Sequence, residues 1–254
     1  MSTPTTGILA EVDRLLEPDR FDDYGPNGLQ VPGPVQVDVL ATGVSAHAQL
    51  FELAAAAGAQ LVIVHHGLFW GAGTEVIDPV LKRRLEILFD ADVALAAYHL
   101  PLDAHPEIGN NALIARALGA GELQRFAEHR GEPIGILATL RGDGLAPGEL
   151  FAAVADIVAR EPLVFDAGPD RVQSVAIVSG AGSDYIEQAA RAGAQAFITG
   201  EPAERVMAQA RELGIHFIAA GHYATETLGI RKLGDHLAQR FGVRHVFLDA
   251  PNPI

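Results

Sequence analysis

The chain of 254 residues contains no cysteine, which excludes several kinds of site. Disulfide bridges, thiolate nucleophiles, cysteine-type zinc sites and iron–sulfur clusters all need the sulfur atoms that this chain lacks. Basic residues are also scarce, because 18 lysines and arginines stand against 32 acidic residues and leave a net charge of −14. Since a phosphate-rich partner needs a basic surface, a nucleic-acid partner is not expected.

Long apolar runs and targeting signals are missing as well. The sequence has no uninterrupted stretch of roughly 18 apolar residues, which a membrane-spanning helix needs, and its N-terminus lacks a basic segment followed by an apolar run. We therefore expect a cytoplasmic protein without a membrane partner. Hydrophobic residues make up 49% of the chain, which is enough for a sizeable core.

Apolar runs alternate with helical patterns along the chain, which predicts an α/β fold with largely buried sheets. The predicted strands are Val37–Gly43, Leu61–His65, Ala94–His99, Gly135–Leu140, Val175–Ser179, Ala196–Thr199, His216–Ala220 and His245–Leu248. The predicted helices are Thr5–Leu16, Ala46–Ala57, Pro79–Ala91, Asn110–Leu118, Pro147–Val158, Ser183–Ala192, Pro202–Leu213 and Ala224–Phe241. A polar, glycine-rich stretch at 119–132 is a candidate boundary. We predict one domain from 1–126 plus 225–254 and a second from 127–224.

Two pairs of segments resemble each other, 51–66 with 186–201 and 93–103 with 216–226. The second pair aligns His99 with His222 and Asp103 with Glu226. Chance similarity between alanine-rich α/β segments is one explanation, but the shared spacing of histidine and carboxylate favours an internal duplication. A duplicated unit would bring the polar ends of its strands to a pseudo-symmetric cleft.

The stretch LVIVHHGLFWG (61–71) ends a buried strand with two adjacent histidines, His65 and His66. Adjacent strand residues point to opposite faces, so they share one site only where the strand ends and the chain turns. Gly67 suits such a turn. Each histidine could instead serve a different metal, and for the pair alone a structural or surface role is the simpler interpretation.

Two further strand ends carry a histidine followed four positions later by a carboxylate. In GHYATE (221–226), His222 and Glu226 would share one face of a helix, where they suit an ion, although a charge favoured at a helix N-terminus is an alternative. In HLPLD (99–103), His99 ends a strand and Pro101 is expected to block a regular helix, which would leave Asp103 on a loop.

Histidines and carboxylates at several strand exits predict a shared site, because α/β sheets bind ligands at the carboxyl ends of their strands. Imidazole nitrogens with carboxylates that can bridge are suited to two divalent transition metals. Zinc, iron or manganese is expected rather than copper(I).

Five motifs in this order resemble the Nif-three-like dinuclear-metal family, whose members carry the name GTP cyclohydrolase 1 type 2 homologue. They are NGLQV (27–31), HHGLFWG (65–71), HLPLD (99–103), ITGE (198–201) and GHYATE (221–226). The resemblance implies two intertwined α/β domains with a metal cleft between them. It also implies a homo-oligomer, a toroidal hexamer.

Carried over motif by motif, the resemblance implies a set of metal ligands and two further site residues. The implied ligands are His65, His66, Asp103, His222 and Glu226, with Asp103 or Glu226 bridging the ions. His99 matches a histidine that lines the site, and Glu201 would be a supporting or substrate-facing residue. Either of these two would accept the proton of an attacking water.

The sequence departs from the family pattern at three places. Gly67 stands where proline is usual, Leu100 and Pro101 replace Thr-Asn, and Pro26 replaces an aspartate that often precedes the NGLQ motif. None of these changes removes an implied ligand. The loss of asparagine at 101 weakens any assignment of substrate contacts.

The leading hypothesis is a metal-dependent hydrolase that uses a metal-activated water on a nucleotide or phosphoester. If GTP is the substrate, water would attack C8 of the purine. The chain has no P-loop motif, so scattered arginines such as Arg205 or Arg231 and the metals would hold a triphosphate. The alternatives are a non-catalytic metal-binding regulatory or scaffold assembly, and polar residues that are merely satisfied in the core. Phe69 and Trp70 would pack the turn against the second half of the chain or a subunit or, alternatively, stack on a base.

Overall fold

The computed structural model describes residues 2–71 and 76–254. The helices are α1 (Thr5–Leu16), α2 (Ala48–Ala56), α3 (Pro79–Asp90), α4 (Leu100–Asp103), α5 (Asn110–Ala117), α6 (Pro147–Val158), α7 (Ile186–Arg191), α8 (Val206–Leu213) and α9 (His222–Phe241). The strands are β1 (Thr3–Pro4), β2 (Gly28–Val31), β3 (Gln36–Val37), β4 (Val39–Ser45), β5 (Leu61–His66), β6 (Ala94–Ala97), β7 (Ala120–His129), β8 (Glu132–Leu140), β9 (Leu163–Phe165), β10 (Ser174–Val178), β11 (Ala196–Thr199), β12 (His216–Ala219) and β13 (Arg244–Phe247). None of the helices in these ranges is long and apolar enough to cross a membrane.

The chain divides into two compact units. The first contains the residues up to Leu102 together with Gly229–Pro251, and the second contains Asp103–Leu228 with Asn252–Ile254. The chain therefore enters the second unit well before the predicted boundary at 126/127. The reason is that the polar stretch at 119–132 is not a linker: it forms the edge strand β7, which pairs with β8 in an antiparallel hairpin. An edge strand exposes polar residues, so its composition resembles that of a loop.

The first unit is built on a five-stranded sheet in the order β13-β4-β5-β6-β2. Neighbouring strands from β13 to β6 are parallel, and β2 is an antiparallel edge strand. The apolar part of β5, Leu61–Val64, is fully buried, as expected for a central parallel strand covered on both faces. Its core includes Leu50, Phe51 and Leu95.

The second unit is built on a six-stranded sheet in the order β7-β8-β10-β11-β12-β9. The central strands β10, β11 and β12 are parallel, whereas β8 and β9 run antiparallel to their neighbours. The core of this unit includes Ile136, Ile177, Ile198 and Leu150. The predicted α/β class is confirmed in both units.

Both sheets share one arrangement, in which an antiparallel edge strand comes first in the chain and a β-α-β-α-β run follows. In the first unit these elements are β2, β4, α2, β5, α3 and β6, and in the second they are β9, β10, α7, β11, α8 and β12. An internal duplication would produce this repetition, and the duplication itself stays a prediction.

The helical turn α4 differs from the sequence expectation. Leu100–Asp103 is helical even though it contains Pro101. Proline is tolerated in the first turn of a helix because its missing N–H has no partner within the helix there. Asp103 therefore lies on a helical turn rather than on a loop.

Candidate metal centre

Three histidines lie together in the first unit, at the ends of two neighbouring parallel strands. His65 and His66 end β5, and His99 follows β6. One ring nitrogen of each lies within 4.8 Å of those of the other two. The ring centroids of His65 and His66 are 4.7 Å apart, and that of His99 is 4.9 Å from His65. The double histidine therefore has a third imidazole beside it.

Each of these three rings is held through its Nδ1 atom. His65 Nδ1 donates to the backbone carbonyl of Tyr98 at 3.2 Å, and His66 Nδ1 pairs with the Ser45 hydroxyl at 3.0 Å. His99 Nδ1 donates to Asp23 Oδ1 at 2.7 Å. Histidines that bind metals usually have their other ring nitrogen held in this way. Nε2 is therefore the ring nitrogen through which each histidine would contact a metal or another bound group.

Asp23, which no sequence motif had indicated, is almost fully buried with a side chain 2% exposed. Besides the bond from His99, its carboxylate accepts bonds from the backbone N–H groups of Tyr24 at 2.7 Å and Leu100 at 3.0 Å. Asn27 Nδ2 donates to it at 2.9 Å. Burial raises the pKa of Asp23, but the hydrogen bonds from His99, Asn27 and the Tyr24 N–H leave it below its ordinary value. Asp23 is therefore a carboxylate held in one orientation.

The NGLQV motif supports the turn that follows the double histidine. Gln30 accepts a hydrogen bond from the backbone N–H of Leu68 at 2.7 Å and donates to the Pro26 carbonyl at 2.9 Å. A Cβ atom at Gly67 would overlap the Gln30 amide. The glycine at 67, where the family pattern has proline, therefore suits the close approach of Gln30.

Trp70 lies beside the histidines. Its ring centroid is 5.6 Å from that of His66 and 5.1 Å from that of His99, and the residue is 41% exposed. Phe69 packs against the core of the first unit. The packing interpretation expects a contact with the second half or with another subunit, and that contact stays a prediction. A shallow recess borders Trp70, Asn27 and His99. Trp70 therefore forms part of the wall next to the histidines, and a stacking role for it stays a prediction.

In the second unit, His222 and Glu226 lie one turn apart at the start of α9, as GHYATE predicts. His222 Nε2 is 3.1 Å from Glu226 Oε1, and His222 Nδ1 is in contact with the Glu201 carboxylate. Glu226 is buried, with 2% of the residue exposed. Burial lowers the pKa of His222, but the hydrogen bonds and charges of Glu226 and Glu201 outweigh this effect and raise the pKa to about 9. A metal would have to displace the proton that this histidine carries.

Asp103 joins this acidic cluster. One of its carboxylate oxygens lies within 4.8 Å of an oxygen of Glu226. Its Oδ1 accepts hydrogen bonds from Asn110 Nδ2 at 2.8 Å and from the Ser179 hydroxyl at 2.9 Å. Asn110 and Ser179 were missed by the sequence reasoning, because their roles depend on which strand end lies beside α4.

Gly180, which follows β10, shapes the acidic cluster. It has a φ of +64°, a conformation that favours glycine. A Cβ atom there would overlap Glu226 Oε1 and lie 3.1 Å from His222 Nε2. The Gly180 N–H donates to the Thr225 hydroxyl at 3.1 Å. The backbone therefore packs directly against the two side chains that the sequence predicts as ligands.

These donors fit divalent transition ions, because imidazole nitrogen and carboxylate oxygen are the ligands that zinc, iron and manganese take. The fold and its two clusters thus define an α/β protein with histidine and carboxylate side chains at its strand ends that suit metal binding. The chain belongs to the Duf34/NIF3 (NGG1p interacting factor 3) family, whose model matches residues 5–253. The resemblance drawn from the five motifs is confirmed.

Relatives of similar length match the chain throughout. A GTP cyclohydrolase 1 type 2 homolog of Pseudomonas aeruginosa is 42% identical over 253 residues, which cover 100% of both chains. The protein of the same name from Escherichia coli strain K12 is 44% identical and covers 95% of this chain and 96% of its own.

Solved structures share the fold. Protein ybgI, whose function is given as unknown, matches with a TM-score of 0.91 and 41% identity over 99% of this chain and 100% of its own. TTHA1606 from Thermus thermophilus has a TM-score of 0.90 at 36% identity, over the same shares of the two chains. HcgD from Methanocaldococcus jannaschii, at 20% identity and a TM-score of 0.86, is similar in fold alone.

Proposed function

We propose that this protein is a dinuclear-metal-dependent hydrolase that acts on a nucleotide or a phosphoester. The observation that carries the proposal is the pair of donor clusters, one of imidazoles held at Nδ1 and one of buried carboxylates around His222. The names of the bacterial relatives, GTP cyclohydrolase 1 type 2 homolog, favour the same class of reaction.

The proposed ligands are His65 and His66 from the first cluster and Asp103, His222 and Glu226 from the second. Chain connectivity supports their acting on a common pair of ions, since Asp103 follows His99 by a single helical turn. Glu226 is the favoured bridging ligand, because it lies near both His222 and Asp103 within its own unit.

When bound, the two ions would act as Lewis acids that make a water nucleophilic near neutral pH. The protein would orient that water and take up its proton. Of the two candidates for this proton, His99 is favoured over Glu201. The Glu201 carboxylate is already engaged with His222 Nδ1 and is better suited to orienting that ring.

The relatives' name, GTP cyclohydrolase 1 type 2 homolog, favours a nucleotide as the substrate, and two metal ions suit a phosphoester equally well. A purine nucleotide would be attacked at C8, and a phosphoester at phosphorus. Of the two arginines considered for a triphosphate, Arg205 pairs with Asp184, and Arg231 lies 3.4 Å from the centroid of the Phe247 ring. Neither contact supports a role in phosphate binding.

We further propose that the protein works in the cytoplasm as a homo-oligomer, with the hexameric toroid of the family resemblance as the favoured form. Its partners would be a small-molecule substrate and other copies of the chain. Light scattering with size-exclusion chromatography measures the assembly, and a monomer at micromolar concentration would contradict it.

The test of the function is a turnover screen of zinc-, iron- and manganese-loaded protein against GTP, other nucleotides and phosphoesters. Asp103→Asn should abolish any turnover found, while Glu204→Gln, which removes an exposed carboxylate, should leave it unchanged. Metal binding without turnover on any substrate would favour the regulatory or scaffold alternative.

A further inference from the structure

His99 is held differently from the two histidines beside it. The Nδ1 partner of His65 is a backbone carbonyl and that of His66 is a hydroxyl, whereas His99 is paired with a buried carboxylate. A carboxylate that accepts the Nδ1 hydrogen fixes the tautomer of an imidazole and leaves its Nε2 lone pair as an acceptor.

Asp23 is itself fixed on both oxygens. Oδ1 accepts from His99 Nδ1 and the Tyr24 N–H, and Oδ2 accepts from Asn27 and the Leu100 N–H. Asn27 also accepts a hydrogen bond from the backbone N–H of His99 at 2.8 Å. The loop before β2 therefore forms hydrogen bonds with both the ring and the backbone of His99. Neither can rotate without breaking hydrogen bonds.

We propose that Asp23 is a positioning residue that fixes His99 in the tautomer whose Nε2 accepts a hydrogen bond from the attacking water of the proposed hydrolase. His99 is then an acceptor at the edge of the histidine cluster, and its side chain is 17% exposed. This assignment rests on the proposed function for the identity of the water but not for the tautomer.

The tautomer can be read directly from the metal-free, ¹⁵N-histidine-labelled full chain by long-range ¹⁵N–¹H NMR. The His99 signals are those absent from His99→Gln. We expect a protonated Nδ1 and an unprotonated Nε2 in the wild type. A protonated Nε2, whatever the state of Nδ1, would overturn the proposal, and this measurement needs neither substrate nor a stable Asp23 variant.

Asp23→Asn provides the second arm. The amide oxygen would stay with the two donors from Asn27 and Leu100, and its NH₂ group would replace Oδ1. Of the two Oδ1 partners, the Tyr24 N–H would lose its bond, whereas His99 can accept from the NH₂ group by adopting the opposite tautomer. The matched control, Asp19→Asn, removes an exposed carboxylate in the 3₁₀ helix formed by Pro18–Arg20 and should leave the His99 signals unchanged. An unchanged tautomer in a folded Asp23→Asn protein would overturn the proposal.

Activity and metal affinity separate positioning from ligation. With manganese-loaded protein and bis(4-nitrophenyl) phosphate as the probe, Asp23→Asn should lower kcat roughly 10²- to 10⁴-fold and change KM little. Removing a residue that supports a metal ligand typically lowers metal affinity about 10- to 100-fold. Because His99 is not a ligand in this assignment, zinc affinity should change less than about threefold. A larger loss of affinity would make His99 a ligand and reject the assignment. If the wild type does not turn over the probe, the proposed hydrolysis of phosphoesters fails, and the tautomer still decides the role of Asp23.

Discussion

In the first unit β5 ends in His65 and His66, whereas β11, which has the corresponding place in the second unit, leads into Gly200 and Glu201. The next strand of each unit, β6 or β12, is followed by His99 or His222. The same order of strands thus presents mainly imidazoles in one unit and mainly carboxylates in the other. The repeated arrangement of strands determines the positions of the candidate metal ligands. The residue types at the strand ends determine whether those ligands are imidazoles or carboxylates.

The supporting contacts differ in the same sense. Neutral partners hold two of the three rings of the first cluster, while His222 lies between two carboxylates that raise its pKa. An ion taken mainly by imidazoles should be a borderline transition metal, whereas carboxylates also accept harder ions such as manganese.

The largest effect should come from removing one donor of each cluster and comparing two metals. His65→Ala should weaken zinc binding by at least roughly 100-fold and manganese binding less, because imidazole suits zinc better. Asp103→Asn should show the reverse order. Competition titrations with a chelator measure both affinities, with Glu204→Gln as the control. Equal losses for both metals in both variants would remove the chemical distinction between the units.

A smaller effect is expected from the backbone that packs against the acidic cluster. Gly180→Ala places a methyl group against Glu226, while Gly193→Ala, at a φ of +83° with open space around it, adds only backbone strain. We expect about 1–3 kcal/mol more destabilisation for Gly180→Ala, which combines strain with overlap. Urea denaturation of the metal-free proteins measures the difference, and equal midpoints would contradict the close packing.

The smallest effect should lie away from both clusters. Glu11 in α1 bonds Arg14 at 2.8 Å and His236 at 3.2 Å, and these bonds lower its pKa from 4.5 to about 2. A lowered carboxylate pKa gives stability that is complete above pH 4.5 and is lost as the pH falls toward 2. Glu11→Gln should therefore cost at most about 1 kcal/mol at pH 7 and less at pH 3, with metal affinity unchanged.

Urea midpoints of the wild type and Glu11→Gln at the two pH values test this dependence. A stability difference that stays constant from pH 7 to pH 3 would show that the carboxylate does not titrate in this range. Altered metal affinity would show that the contacts of Glu11 with Arg14 and His236 are coupled to the histidine cluster.

Much of the fold was predictable because its buried strands are continuous apolar runs and its helices are amphipathic. Thr5–Leu16 and Pro147–Val158 have the predicted bounds, and Ala196–Thr199 is a strand as predicted. The short edge strands β2 and β9 were not predicted. Strands of three or four residues next to glycine or proline give too little pattern, and pairing with a neighbour decides their structure.

The candidate site was predictable where a motif joins a strand end to a donor side chain, as at His65, His66 and His222. Asp23 was not, because the sequence does not show which of the acids before NGLQV turns toward His99. That choice depends on the antiparallel pairing of β2 with β6, which brings this loop to the end of the neighbouring strand. Supporting residues depend on contacts between distant segments, which a single sequence does not encode locally.

The most direct test of the central claim is elemental analysis of the full chain after metal loading, with His65→Ala and His222→Ala measured in parallel. If imidazoles of both clusters ligate the proposed pair of ions, each variant should retain clearly less metal than the wild type. Undiminished metal content in both variants would contradict the account.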